Sequence, residues 1–307
     1  MAKRQKSGEK VPYATLAREG ERAFVRLNSP AHGSWLVSPR PGRRTSLSLR
    51  PTAGHAPFDL HFPRDWPLEK LIRYLNEQTL FDGYLGRIIA SMPGLAEGIV
   101  LPTLLLLPTA DTPIPILRFQ GREEDALLRL RSFGLPVTHR LRTRSGSAFL
   151  VASRAMAFLC GPEGHKVEYA YLIRCWLRMV AAEDIPRCVA ADPAMAILDA
   201  AKKLVPFPRP GDTISISDTC SRWASMGGNP DRGFHMRVNW RAMLLPRPLF
   251  RHLLFHELAH TQAMNHQALF YRVLEGYSPG ARELERGLDE AWKAMPLWTR
   301  GRTPRVR

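Results

Sequence analysis

The spacing of apolar and polar residues changes period several times along the chain. Between Phe24 and Phe62 the two kinds alternate, as Leu47 and Leu49 do in "RTSLSLR", and turn formers cluster in "SPRPGRR" and "PTAGHAP", which predicts strands and hairpins. In "DWPLEKLIRYLNEQ" the period lengthens. Trp66, Leu68, Leu71, Ile72 and Leu75 fall at helical spacing with Pro67 in the first turn, predicting a helix near 66–79. Residues 83–162 hold many prolines and short apolar runs, read as strands at about 99–107 and 113–119, a short helix near 122–132 and strands around 136–152. Helical spacing then predicts helices over Lys166–Ala182 and Pro193–Leu204. Alternation returns with Ile214 and Ile216 in "DTISISD" and with Met236, Val238 and Trp240 in "FHMRVNW". The intervening "SRWASMGGNPDRG" carries turn chemistry, so the two runs read as an antiparallel hairpin leading into a helix that starts near Pro246.

This pattern is that of an α+β protein. Its expected organisation is a basic, weakly ordered arm over residues 1–22, an N-terminal β-rich region over 23–165, a catalytic region over 166–299 and a basic tail over 300–307. The chain has 307 residues, 45% of them hydrophobic and 23% charged, which suffices for a substantial core and argues against wholesale disorder. The most apolar run, "IVLPTLLLLP", is short and interrupted by Pro102, and the N-terminal "MAKRQKSGEK" is followed by no apolar segment; neither a signal peptide nor a membrane span is expected. Cys160, Cys175, Cys188 and Cys220 lack Cys-x-x-Cys spacing, so they read as buried thiols in a reducing cytoplasm. The net charge of +16 is concentrated at the ends. Eleven Lys or Arg stand against three Glu in residues 1–50, and Arg300, Arg302, Arg305 and Arg307 have no acid beside them. Ends of this kind attract nucleic acid, or serve as solvated tails.

The chemistry concentrates in "FHELAHTQAMNH", residues 255–266. At about 100° per residue, His260 lies roughly 40° and Glu257 roughly 100° around the helix from His256. Leu253, Leu254, Phe255, Leu258 and Ala259 fill most of the remaining circumference, so the helix is buried on nearly all sides and keeps one polar stripe. Burying such a stripe is costly unless it is satisfied, and a divalent metal satisfies two neutral imidazoles at once. Zinc suits imidazole nitrogen, and a third protein ligand plus water makes an open catalytic site. His266 is the candidate third ligand, reached if the helix ends and the chain folds back; Asn265, before it, takes a left-handed conformation readily. Glu257, beside the first ligand, is placed to take a proton from a zinc-activated water. His252 lies close enough to the stripe to support the ligands from behind, but reads first as a solvent-facing or N-terminal-turn residue, and His32, His55, His61, His139, His165 and His235 have no spacing that argues ligation.

The order "SRWASMGG", "MRVNW", "HELAHTQAMNH" and "LFYRVLE" resembles the YgjP-like metallopeptidases, zincin relatives of the SprT-like proteins. The resemblance is strongest over Ile214–Leu274 and extends to about Lys166. It implies a zincin-like catalytic region in which His256, His260 and His266 hold Zn2+ and Glu257 is the catalytic glutamate. Departures lie beside the ligands: Ala224, Ser225 and Met226 stand where the family pattern has Gly-Ser-Cys, Tyr271 where Trp is usual and Gln267 where Ser is common.

The expected function is hydrolysis of peptide bonds in a peptide or protein substrate. Arg222 and Trp223 either line the site or anchor its loop, Asn239 and Asn265 support it, and the strand His235–Trp240 flanks the cleft and pairs with extended substrate. Two other readings stay open. One is a metal-dependent nucleotide pyrophosphatase-type hydrolase, for which the chain offers no glycine-rich phosphate cradle. The other is a nucleic-acid-associated protein docked by its basic ends, including a protease of DNA-bound proteins, for which no zinc-finger module is evident.

Overall fold

The computed structural model describes residues 11–300 except 20–21, 43–46, 52–57, 78–79, 91–98, 144–145, 163–164, 200 and 220–221. Most of the basic arm, the tail beyond Arg300, His55 and Cys220 therefore lie outside the described residues. The fold is α+β, with seven α-helices among the described residues, and the chain divides into two compact units. One holds residues 1–99 and 296–301, the other 100–295 and 302–307. The division thus falls near 99, whereas the sequence pattern had placed it near 165. The reason is that the strands of 137–160 belong with the long helix that follows them.

The first unit is a five-stranded sheet of β1 (Ala14–Glu19), β2 (Arg22–Ser29), β3 (Gly33–Gly42), β4 (Ser48–Pro51) and β5 (Phe58–Pro63), in the order β1-β2-β3-β5-β4. Only β3 and β5 run parallel. Period-two alternation turns Val25, Leu27, Val37, Phe58 and Leu60 inward, where α1 (Leu68–Glu77) and α2 (Leu80–Ala90) cover them with Leu71, Leu75 and Leu85. The strand β1 lies within the segment expected to be a weakly ordered arm. Its backbone pairs with β2, and the Asn76 side chain bonds both the N–H and the C=O of the buried Ala14 at 2.8 and 3.0 Å.

The second unit opens with a sheet of β6 (Leu104–Leu105), β7 (Ile114–Phe119), β8 (Val137–Thr143), β9 (Gly146–Ala152) and β10 (Ala157–Cys160), ordered β6-β7-β10-β9-β8. The strand expected over 99–107 is reduced to two residues. Helix α3 (Glu123–Leu130) packs on β9, and α4 (Lys166–Ala191) packs on β8 and β9. Helix α4 continues through Pro186, past the expected end at Ala182, because its buried residues run on to Ile185 and Val189.

Two expectations are corrected beyond this point. Residues 193–204 form no helix; β11 (Ala196–Leu198) and β12 (Leu204–Pro206) pair across a tight turn. Asp192 and Asp199 decide it, the first accepting the Ala194 N–H at 3.0 Å and the second the Lys203 N–H at 2.8 Å. Met195 and Ile197 are then buried at period two. The second correction concerns β13 (Thr213–Ser217) and β15 (Gly233–Asn239), which run parallel. The true hairpin partner of β15 is β14 (Ala224–Asn229), inside the stretch read as loop. The turn is confined to residues 229–232, where Asn229 Oδ1 accepts the N–H groups of Asp231 and Arg232. Gly228 must be glycine there, since its φ is +98° and a Cβ would lie 2.2 Å from the Gly233 carbonyl oxygen. Helices α5 (Arg247–Ala259), α6 (Ala268–Tyr277) and α7 (Ala281–Lys293) complete the unit. No helix among the described residues is long and apolar enough to cross a membrane.

Candidate metal centre

Helix α5 forms where predicted, with Pro248 in its first turn and Leu253, Leu254, Phe255, Leu258 and Ala259 buried. It ends at Ala259, so His260 is the C-cap rather than a mid-helix residue. The chain then folds back through Thr261 N–H and Ala263 N–H, bonded to the carbonyls of Leu258 and Ala259. Asn265 does not supply the reversal by a left-handed backbone, for Lys202 is the one non-glycine residue with positive φ among the described residues. Its carbonyl instead accepts the Gln267 N–H at 2.7 Å, at the start of α6.

These turns bring His256, His260 and His266 together. One ligand nitrogen from each lies within 4.8 Å of the others, and the Nε2 atoms of His256 and His266 are 3.1 Å apart. The fully buried Phe270 of α6 floors the cluster, its ring centroid 4.9, 4.6 and 4.6 Å from the three imidazoles in turn. His260 Nδ1 faces the Ala263 carbonyl oxygen at 3.3 Å. His256 Nδ1 lies 2.5 Å from Glu285 Oε1 on α7. The δ nitrogens of these two ligands are therefore occupied by protein, and their ε nitrogens are the ones left for a metal.

The charges follow from these contacts. Burial, then the charges of His256 and His266, hold His260 down at about 4, so this imidazole is a neutral donor at ordinary pH. Burial and the charge of His256 lower His266 as well. Burial alone would lower His256, but the hydrogen bond and charge of Glu285 reverse the direction. Glu285 itself would be raised by burial; the hydrogen bonds of His252 and His256 outweigh that and hold it at about 2. Glu257, only 3% exposed, is pushed up to about 7 by burial, against the pull of His256, Arg222 and the Met226 N–H. Its Oε2 has no hydrogen-bond partner among the described residues. Buried polar atoms are rarely left so, and this one belongs to the residue that follows the first histidine of the cluster.

The supporting residues divide. The indole N–H of the buried Trp223 donates to the Leu288 carbonyl at 3.0 Å, and its ring meets Trp292 edge-on at 4.8 Å, so it anchors the loop. Arg222 is exposed and acts on Glu257 through its charge. Asn239, fully buried, donates Nδ2 to the carbonyls of Thr219 and Arg222 and accepts the Arg241 N–H, which staples the loop to β15. Asn265 is exposed. The expectation that the strand His235–Trp240 pairs with substrate is corrected: β15 is the central strand of its sheet, with both edges taken, and His235 Nδ1 is engaged by Thr213 Oγ1. Among the described residues the free edges belong to β13 and β14.

Two residues of the centre were not singled out by sequence reasoning. His252 is buried rather than solvent-facing, bonded to Ser278 Oγ at 2.8 Å and to Glu285 Oε1 at 3.1 Å. The only local signal was its place one turn before His256 on the same face. Glu285 had none, being one of four acids in a polar helix. Cys160, Cys175 and Cys188 are free thiols and take no part.

No curated protein and no solved structure matches the chain. Residues 139–291 match the family described as YgjP-like, metallopeptidase domain, a span that contains the three histidines, Glu257 and Glu285. The second unit of the chain therefore carries a YgjP-like metallopeptidase domain.

Proposed function

We propose that this chain is a zinc-dependent peptidase with a zincin-like catalytic region, in which His256, His260 and His266 hold Zn2+ and Glu257 is the general base. The observation that carries the reading is the convergence of three imidazole nitrogens within 4.8 Å beside a buried carboxylate oxygen without a partner. Two nitrogens bound tetrahedrally at ~2.1 Å stand roughly 3.4 Å apart, a spacing that small side-chain adjustments reach from here. When bound, zinc supplies a Lewis acid that makes water acidic and polarises a carbonyl.

The remaining work belongs to the chain's own residues. Glu257 Oε2 accepts a proton from the attacking water and returns it to the leaving amine; burial raises the affinity of this carboxyl for the proton it takes up. Arg222 keeps Glu257 from rising further. The free edge of β14 lies against this carboxylate through Met226, and an extended peptide added to that edge would lie across the site.

Metal analysis of the purified protein, with casein cleavage as the activity, tests this reading. Wild type is expected to carry one zinc per chain and His260→Ala to lose it. Glu257→Gln should keep the metal and lose roughly 10²- to 10⁴-fold in rate. Wild-type protein without stoichiometric zinc would overturn the proposal.

A further inference from the structure

We infer that Glu285 is a positioning residue for metal capture, clamping His256 in the one tautomer that can ligate and being clamped in turn by His252. This rests on the zinc reading above. A single oxygen joins the two rings. Glu285 Oε1 meets His256 Nδ1 at 2.5 Å and His252 Nε2 at 3.1 Å, reaching from α7 to two residues one turn apart on α5. An ionised carboxylate can only accept, so both rings present an N–H to it. His256 then carries its proton on Nδ1 and keeps a bare lone pair on Nε2, the atom that faces His266. His252, with its proton on Nε2, uses Nδ1 to accept the Ser278 hydroxyl at 2.8 Å.

His252 thus stands outside the ligand cluster yet fixes its geometry. Its side chain is fully buried, whereas that of Glu285 is partly exposed. Because Ser278 lies in the turn between α6 and α7, the chain Ser278, His252, Glu285, His256 ties that turn to the metal ligand. A carboxylate hydrogen-bonded to a ligating imidazole orients the ring and increases its basicity, and loss of such a partner commonly lowers metal affinity 10–100-fold.

A merely structural acceptor would work as well without its charge, and Glu285→Gln makes that distinction. It keeps the shape and the accepting oxygen and removes the charge. Zinc affinity is measured on the full chain by competition with a chelator, alongside melting of the metal-free protein. The expected result is an affinity lowered roughly 10–100-fold, measured at a temperature where melting shows the metal-free variant still folded. An affinity equal to wild type overturns the inference. A second measurement needs no variant. The ring ¹⁵N shifts of His256 in metal-free wild type, recorded at about pH 9 where even a ring raised by Glu285 is neutral, should report protonated Nδ1 and bare Nε2, and the opposite tautomer overturns the inference whatever the variant does. His260→Ala serves as the control. If that variant binds zinc as tightly as wild type, the zinc reading itself has failed, a result distinct from failure at Glu285.

Discussion

The two units have interiors of opposite character. In the first, Val25, Leu27, Val37, Phe58 and Leu60 meet Leu71, Leu75 and Leu85, and the buried polar residues of that unit among those described are Ser29 and Thr299. Each of these two hydroxyls is satisfied within a local turn. The second unit buries Arg174, Asn239, Arg241, His252 and Glu257. Burying such groups is costly unless they are paired, and most of them are: Arg241 Nη1 lies 2.8 Å from Asp218 Oδ1, and His252 is bonded through both nitrogens. Glu257 Oε2 is not, and it is the atom assigned to proton transfer. The first unit also leaves Tyr13 Oη, Ser48 Oγ and Asp82 Oδ1 without a partner, on half-buried residues, whereas the second carries that cost at its chemical centre.

That contrast predicts opposite signs for substitution. Phe58→Ala, in the apolar interior, removes a fully buried ring that meets Trp35 edge-on at 5.5 Å and should cost about 3–5 kcal/mol in denaturant unfolding. A cost below ~1.5 kcal/mol would mean that this interior is not the close-packed region described.

Glu257→Gln should stabilise the metal-free protein. The Glu257 carboxyl stands above its unfolded value, so folding is favoured while it is protonated, and stability is lost as pH rises from 4.5 to about 7. The neutral amide escapes that loss. Its advantage should be on the order of 3 kcal/mol above pH 7, since each pH unit between the unfolded and folded values is worth roughly 1.4 kcal/mol, and it should fade as pH falls toward 4.5. Denaturant unfolding of chelator-treated protein at pH 8 and pH 5 is the measurement. A variant no more stable than wild type at pH 8 would show that Glu257 is satisfied after all.

How much of this the chain discloses in advance depends on the range of the contacts. His256, Glu257, His260 and His266 lie within eleven residues, and helical periodicity alone put three of them on one stripe. Glu285 is 29 residues from His256 and 33 from His252, and nothing in "RELERGLDEAWKAM" sets it apart from its acidic neighbours. Its role arises only when α7 packs on α5. In the fold, strong alternation and long helical runs were legible, whereas β14 hid behind its glycines and residues 193–204 had apolar spacing compatible with either state. In the latter, two aspartates bonding to nearby N–H groups settled the matter, a local competition that periodicity does not register.

The smallest effect tests the border between the two kinds of interior. Trp223 immediately precedes the stretch where this chain departs from the family pattern, Ala224, Ser225 and Met226, and leads into β14 at the site. Its ring packs as a core residue does, against Trp292, while its N–H serves the Leu288 carbonyl of α7, three residues beyond Glu285. Trp223→Phe keeps an aromatic ring and deletes that hydrogen bond. If Trp223 anchors the loop, the variant should lose about 1 kcal/mol of stability, with zinc affinity and the KM for peptide unchanged. A KM raised more than about tenfold at unchanged stability would place the ring against substrate, because a binding loss of about 1.4 kcal/mol has to come from a contact that substrate itself makes.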